Sequence, residues 1–558
     1  MNKLLKYIVP AAAMMLSTGF SSCTDDLHVT PIDPSLNTDP KPEQLLNKCY
    51  ANFGLPGNGG ASGDSDIDGI DGGTSGLYRQ YWNSNELPTD EAICAWGDDG
   101  ISSFCYDTYD ASNPMLQGYY YRLAVGIAYC NQYINQFGSY NTTMTAEARF
   151  LRAFQYYLMM DAYGNIPFST TVSSEKPVQY SRQQVYSFIE SELLDICGDG
   201  DDSTDLLAEP AAKTSASADW GKVDKAAAWM LLSRLYLNAE VYTGTAQWEK
   251  AATYAKKVID SPYKLNTTGS SHEVNGQTWQ FSAYQMLFMG DNDKTSAAQE
   301  CIMPIIADGQ RTTSWGTSLF LMAGTYDGDM HGLRYDEGSS SRSVNGVTSQ
   351  AWGGNRARPQ LIRLFFPGAT EETVSGIESY DMPAAAEDDR AIFNSVGRTL
   401  NVTDRSIFKQ GYAVAKFNNF TTDGSSTRDA SFPDMDVFML RVAEAYLNYA
   451  EAEERLGNQT EAATYINALR SRAHASTKPG YSLNDILDEW GREFYFEGMR
   501  RTTLIRFGKF GGNTDYQWQW KGGVYDGRNF ESYRNIFAIP TSDLTANENL
   551  HQNTGYGE

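Results

Sequence analysis

Apolar residues recur at helical spacing in several stretches of the chain, and polar start and stop signals bracket each stretch. Leu151, Phe154 and Leu158 share one face of a helix predicted from Thr145 to Met160, with Thr145 as cap and Gly164 and Pro167 as stops. Val185, Ile189, Leu193 and Ile196 form the next stripe, behind a Ser181–Gln184 capping box and ahead of Gly198. From Val223 to Ala239 the run AAAWMLLSRLYLNA predicts a buried helix, and another is predicted from Gln247 to Ile259. The arrangement returns at Val437 to Leu456 and Thr460 to Ala473, with Gly457 and Asn458 between them. Helix pairs on a short turn, with alanine at close approaches and a unit of about 35 to 38 residues, resemble tetratricopeptide-type hairpins. Unrelated helical hairpins fit the same pattern. Either way the expected fold is mostly α, with the helices acting as scaffold.

The pattern breaks at residues 54 to 76, rich in Gly and Asp, and again from 310 to 430, where Gly, Ser, Asn and Thr surround scattered Trp. Long irregular stretches tend to carry function, so the ligand surface is expected there. Trp96, Trp315 and Trp352 lie in CAWGDD, TSWGTS and QAWGGN. An indole flanked by small residues can present its face to the apolar side of a sugar ring, and it can equally pack into the core.

Composition narrows the choice. Acidic residues number 69 against 44 basic ones, a net charge of −25, which repels phosphate backbones and argues against nucleic acid. Lys3 and Lys6 precede an apolar stretch from Tyr7 to Phe20, followed by Ser21, Ser22 and Cys23. This is an export signal over residues 1–22, and it resembles a lipoprotein signal in which Cys23 carries the lipid; ordinary cleavage is the alternative. Residues 23–41, with Pro31, Pro34 and Pro40, read as a tether, and residues 42–558 as one unit with halves of about 42–270 and 271–558. The six other cysteines match no CxxC pattern and read as buried thiols, Cys94 and Cys105 being the pair to inspect for a bridge.

Asp64, Asp66, Asp68 and Gly69 copy the first half of an EF-hand loop, but Ser75 stands where the bidentate Glu is required, so a surface turn is favoured. Asp291, Asn292 and Asp293 with Asp434 and Asp436 offer alternating oxygens suited to calcium, or a solvated loop. Enzyme signatures are sparse: His272 and Glu273 lack the second histidine of HExxH, and GTSGL around Ser75 lacks the last glycine of a nucleophile elbow. Binding is favoured over catalysis.

Five blocks then point one way: TSGLYRQYWNSNELPTDE at 74–91, AEARFLRAFQYYLMMDAYGNIP at 146–167, DMDVFMLRVAEAYLNYA at 434–450, EWGREFYFEGMRRTTLIRFG at 489–508 and NENLHQNTGY at 547–556. In this order they resemble the SusD/RagB family of outer-membrane nutrient-binding lipoproteins, most strongly its starch-binding member. The resemblance implies a surface-anchored, non-catalytic glycan binder on tetratricopeptide-like helices. Such a protein would capture oligosaccharides and deliver them to a SusC-like TonB-dependent transporter. A mechanical lid with little glycan affinity of its own is the alternative. Arg79 matches a sugar-bonding arginine, Trp315 stands in place of a tyrosine of the aromatic arc, and Trp352 and Trp96 match tryptophans. Cys94 replaces an aromatic and Asp99 a hydrogen-bonding asparagine, so starch, dextran or another glycan would fit. Asp293, Asp434 and Asp436 match ligands of a structural calcium ion.

Overall fold

The computed structural model describes residues 40–62, 65–274, 276–330, 344–347 and 350–557. The export signal, Cys23 and nearly all of the tether lie outside these residues, as does Asp64. Contacts divide the chain after Leu45, and the account below concerns the unit Leu46–Glu558.

The amphipathic stripes are buried against one another in a stack. Helix Pro114–Phe137 packs on Thr142–Tyr163, that on Arg182–Ile196, that on Lys225–Leu237, and that on Trp248–Asp260. The next layer comes from far along the chain. Trp248–Asp260 packs on Val442–Leu456, which in turn contacts Gln459–Arg472 and Leu483–Phe494. Ala251 and Ala255 on one helix and Ala445 and Ala452 on the other are fully buried, and their small side chains permit close backbone approach. The result is the expected mostly helical, hairpin-based scaffold. The segment between 260 and 442 is inserted between two of its layers.

Local details confirm and correct the sequence reading. The capping box forms at Ser181 and Gln184, and Gly457 ends its helix with φ +88°. The helix predicted from Thr145 begins at Thr142, because Asn141 is the cap and accepts the Met144 N–H. Thr145 lies inside the first turn, its hydroxyl donating to the Gly138 and Asn141 carbonyls. Val437–Arg441 is not helical. It forms a strand antiparallel to Cys301–Ile305, and only Val442–Leu456 is helix. All five strand residues are buried, and a short continuous apolar run has no period that separates strand from helix. The six cysteines of this unit are buried, and Cys94 and Cys105 are free thiols rather than a bridge.

The join between scaffold and insertion is charged. Arg441 donates to Glu493 at 2.7 Å, Glu300 at 3.0 Å and Glu497 at 2.8 Å. Arg472 also bonds Glu300 and Glu493, while Arg390 reaches Glu489 at 2.8 Å and Glu493 at 3.2 Å. Lys416 adds a bond to Glu497 at 2.7 Å. Burial pushes the Glu493 carboxyl up, but Arg472, Arg441 and Arg390 together outweigh it and hold the group at about 2. Nothing in the hydropathy pattern announces this network, because its members are scattered from 300 to 497.

Candidate functional site

A short ribbon starts the site. Ala92–Cys94 pairs antiparallel with Asn355–Ala357, Cys94 opposite Asn355, and Ala95 N–H continues the ladder to the Gly354 carbonyl at 2.9 Å. This register brings Trp96 beside Trp352. The WGG segment is fixed in turn to the end of helix Ser318–Thr325, with Trp352 N–H on Ala323 O at 2.7 Å and Gly354 N–H on Gly324 O at 2.9 Å. One Arg405 nitrogen donates to both the Cys94 and Trp96 carbonyls at 2.7 Å, locking the strand end from the other side.

Four aromatic rings follow in a row. Trp96 and Trp352 have centroids 6.3 Å apart at 49°, Trp352 and Trp315 are 6.1 Å apart at 43°, and Trp315 and Phe432 are 5.0 Å apart at 59°. The neighbouring planes are tilted against one another throughout, so the rings do not lie in one flat wall. All four residues are half-buried. The three tryptophans singled out from sequence are thus assembled from segments more than two hundred residues apart.

Glycines make room for the rings. A Cβ at position 354 would lie 2.2 Å from Cε2 of Trp96, and one at 73 would lie 2.9 Å from Cβ of Trp315. We expect Gly354→Ala to displace the Trp96 ring, changing tryptophan fluorescence and near-UV circular dichroism while far-UV signal holds. Unaltered near-UV spectra would show that the ring is not held by this contact.

Arg79 is placed differently from the sequence expectation. It sits on helix Leu77–Glu86, only 8% exposed, with its guanidinium over the Trp96 ring at 5.4 Å and the Phe320 ring at 5.0 Å. Its Nε is buried without a partner. Burial lowers its pKa, and the negative charge of Asp98 works the other way. Arg79 therefore backs the Trp96 ring by cation–π contact and presents little of itself to a ligand. Asp99 is exposed at the rim, but the carboxylate whose field reaches Arg79 most strongly is its neighbour Asp98. Sequence reasoning missed Phe432, Phe320, Arg405 and Asp98. Only the Gly-Gly after Trp352 hinted at a ring packed on bare backbone.

The acidic segments do meet. Asn292 donates to the Asp436 carbonyl at 2.8 Å and accepts the Asp436 N–H at 3.1 Å, tying the two stretches together. Asp436 is buried and its carboxylate accepts the Ala307 N–H and the Trp220 indole N–H at 2.7 and 2.8 Å. Burial raises its pKa to about 8, with the charge of Asp293 adding to the effect. Oδ1 of Asp293 and Oδ1 of Asp434 are buried with no hydrogen-bond partner. Among the described residues, however, no three His, Cys, Asp or Glu side chains gather into a group that could hold a metal ion. The three carboxylates share a region without forming a closed cage. In the Gly/Asp-rich loop, Asp66 is paired with Lys48 at 2.8 Å and Arg122 at 3.5 Å, and Arg122 also ties down Ser75 and Pro56. The favoured reading of that loop as a turn agrees with these cationic partners.

Comparison with known proteins places this arrangement. Residues 395–556 match the family model described as SusD family, and residues 79–237 match one described as starch-binding associating with outer membrane. The starch-binding protein SusD of Bacteroides thetaiotaomicron is 37% identical over 578 aligned positions that cover all of both chains. Among solved structures, a SusD-like protein from Bacteroides fragilis superposes with TM-score 0.64 at 18% identity, covering 95% of this chain and 100% of that one. Surface glycan-binding protein A from Bacteroides uniformis gives 0.60 at 18%, covering 92% and 98%. These structural likenesses show a shared fold, and the full-length identity goes further: the chain belongs to the SusD/RagB family.

Proposed function

We propose that this protein is a cell-surface glycan-binding lipoprotein that captures an oligosaccharide on the Trp96–Trp352–Trp315 row and passes it to a SusC-like TonB-dependent transporter. The carrying observation is the half-exposed row of mutually tilted rings, backed by Arg79 and edged by Phe432. Successive indoles suit successive sugar units of a helical or curved chain, while Asp98 and Asp99 at the rim offer acceptors to hydroxyls. The relative named as starch-binding supports an α-glucan such as starch or dextran as the ligand class. No side chain is assigned a catalytic part in this reading. The outer-membrane location is supported by the description of the model matched at 79–237, and the lipid anchor by the sequence around Cys23. Stacking of this kind gives micromolar to millimolar affinity, about −4 to −8 kcal/mol. A glycan array on the purified protein tests the ligand class. Retention on α-glucans is expected, and retention on none of the immobilised glycans would end the proposal.

Calcium would be held by Asp293, Asp434 and Asp436; the buried Oδ1 atoms of Asp293 and Asp434, which accept no hydrogen bond, favour a hard cation. The ion would supply charge compensation and would tie the two acidic segments together. We expect calcium chloride to raise the melting temperature and a chelator to lower it, by up to about 2.7 kcal/mol of stability at a hundredfold excess over Kd. Asp434→Asn should abolish that response. A melting curve indifferent to calcium would remove the ion from the account.

A further inference from the structure

Next to the loop that carries Trp315 the surface opens into a pocket of about 330 Å³, whose polar lining residues include Lys48, Asn52, Asn58, Asp66, Arg311 and Thr313. That volume is at the lower end of small-molecule sites. Its far wall is the loop that carries Trp315. Thr313 is two residues from Trp315, so their Cα atoms lie within about 7 Å of one another. The wall is braced from across the pocket, with Ala61 N–H donating to the Thr313 hydroxyl at 3.3 Å.

The chemistry of the lining selects among ligands. Lys48 is satisfied by Asp66 at 2.8 Å and by the Asn58 carbonyl oxygen at 3.0 Å, so its charge is locally compensated. An anion would meet the Asp66 carboxylate. Asn52 is 2% exposed and leaves its Oδ1 with no partner, an acceptor that nothing in the protein uses. Amides, a hydroxyl, a carboxylate and a guanidinium together present donors and acceptors side by side. Sugar hydroxyls are both donor and acceptor, and they match such a mixture. No aromatic residue lines the pocket, so it has no platform for tight binding by itself.

We infer that this pocket is a second saccharide subsite, taking a further sugar unit of the glycan that lies on the aromatic row; the inference rests on that row being a glycan platform. A unit already tethered to the row binds the pocket intramolecularly, so weak contacts there extend affinity for long chains without creating an independent site. Calorimetry with maltotriose and maltoheptaose, and with the matching isomalto-oligosaccharides, tests it on the purified protein. The Asn58→Ala/Arg311→Ala double variant should bind the trisaccharide as the wild type does, lose about threefold to tenfold on the heptasaccharide, and melt at an unchanged temperature. Equal heptasaccharide affinity in variant and wild type overturns the subsite and leaves the platform standing. A Trp315→Ala/Trp352→Ala protein should bind both ligands about 10- to 100-fold more weakly. Undiminished binding of both by that protein, or binding of neither series by the wild type, overturns the platform and the subsite together.

Discussion

Replacing Trp315 and Trp352 together by alanine is expected to reduce oligosaccharide affinity by about 10- to 100-fold, measured by calorimetry, with little change in the melting curve. The two rings are adjacent at 6.1 Å and each is half open to solvent, so their removal strips the middle of the row without hollowing the core. Loss of about 0.7 to 1.4 kcal/mol per ring gives this range. Trp96 is the less suitable target, because it also contacts Phe320 and Arg79, and its removal would leave Arg79 with Phe320 as its one remaining ring partner of the two. Unchanged affinity in the double variant would take these residues out of the site. In cells, full rescue of a deletion by the same variant would favour the mechanical-lid reading over direct capture.

The second large effect concerns stability. Arg441→Met is expected to destabilise the protein by about 3–5 kcal/mol, read as a lower urea midpoint, because it leaves Glu300, Glu493 and Glu497 buried with fewer cations. Arg441→Lys should recover part of the loss by keeping the charge, but not the forked bonds to three carboxylates. The pH dependence follows from Glu493. Its folded-state pKa of about 2 lies below the ordinary carboxylate range, so its stabilising contribution is present in full above that range. The contribution is lost as pH falls from about 5 toward 2. In Arg441→Met the carboxyl loses one of the three guanidinium groups that hold it down, so the acid side of the stability profile should shift to higher pH. An unshifted profile would mean that Arg472 and Arg390 suffice, and that Arg441 serves packing alone.

The two predictions divide the molecule along a line also visible in how it could be read. Helix periodicity, the Ser181–Gln184 capping box and Gly457 were legible because helices are local: their caps and stripes lie within one or two turns of the residues they govern. The five motif blocks carried the family. Val437–Arg441 is strand where the pattern predicts helix, because the four-residue apolar run VFML carries no period and its partner strand lies over a hundred residues upstream. Arg79 kept its neighbourhood but changed its part, since burial under Trp96 is a property of packing that no motif encodes.

By itself the sequence determined the helical scaffold, the acidic character and the three tryptophans worth watching, since each depends on composition or on neighbours along the chain. Tertiary structure alone decided that those indoles form one row with Phe432, that glycine backbones make room for two of them, and that arginines and glutamates from distant segments neutralise each other inside the core. Ring stacking and ion pairing act over a few ångströms of space, whatever the number of residues between the partners, so only the folded chain sets them.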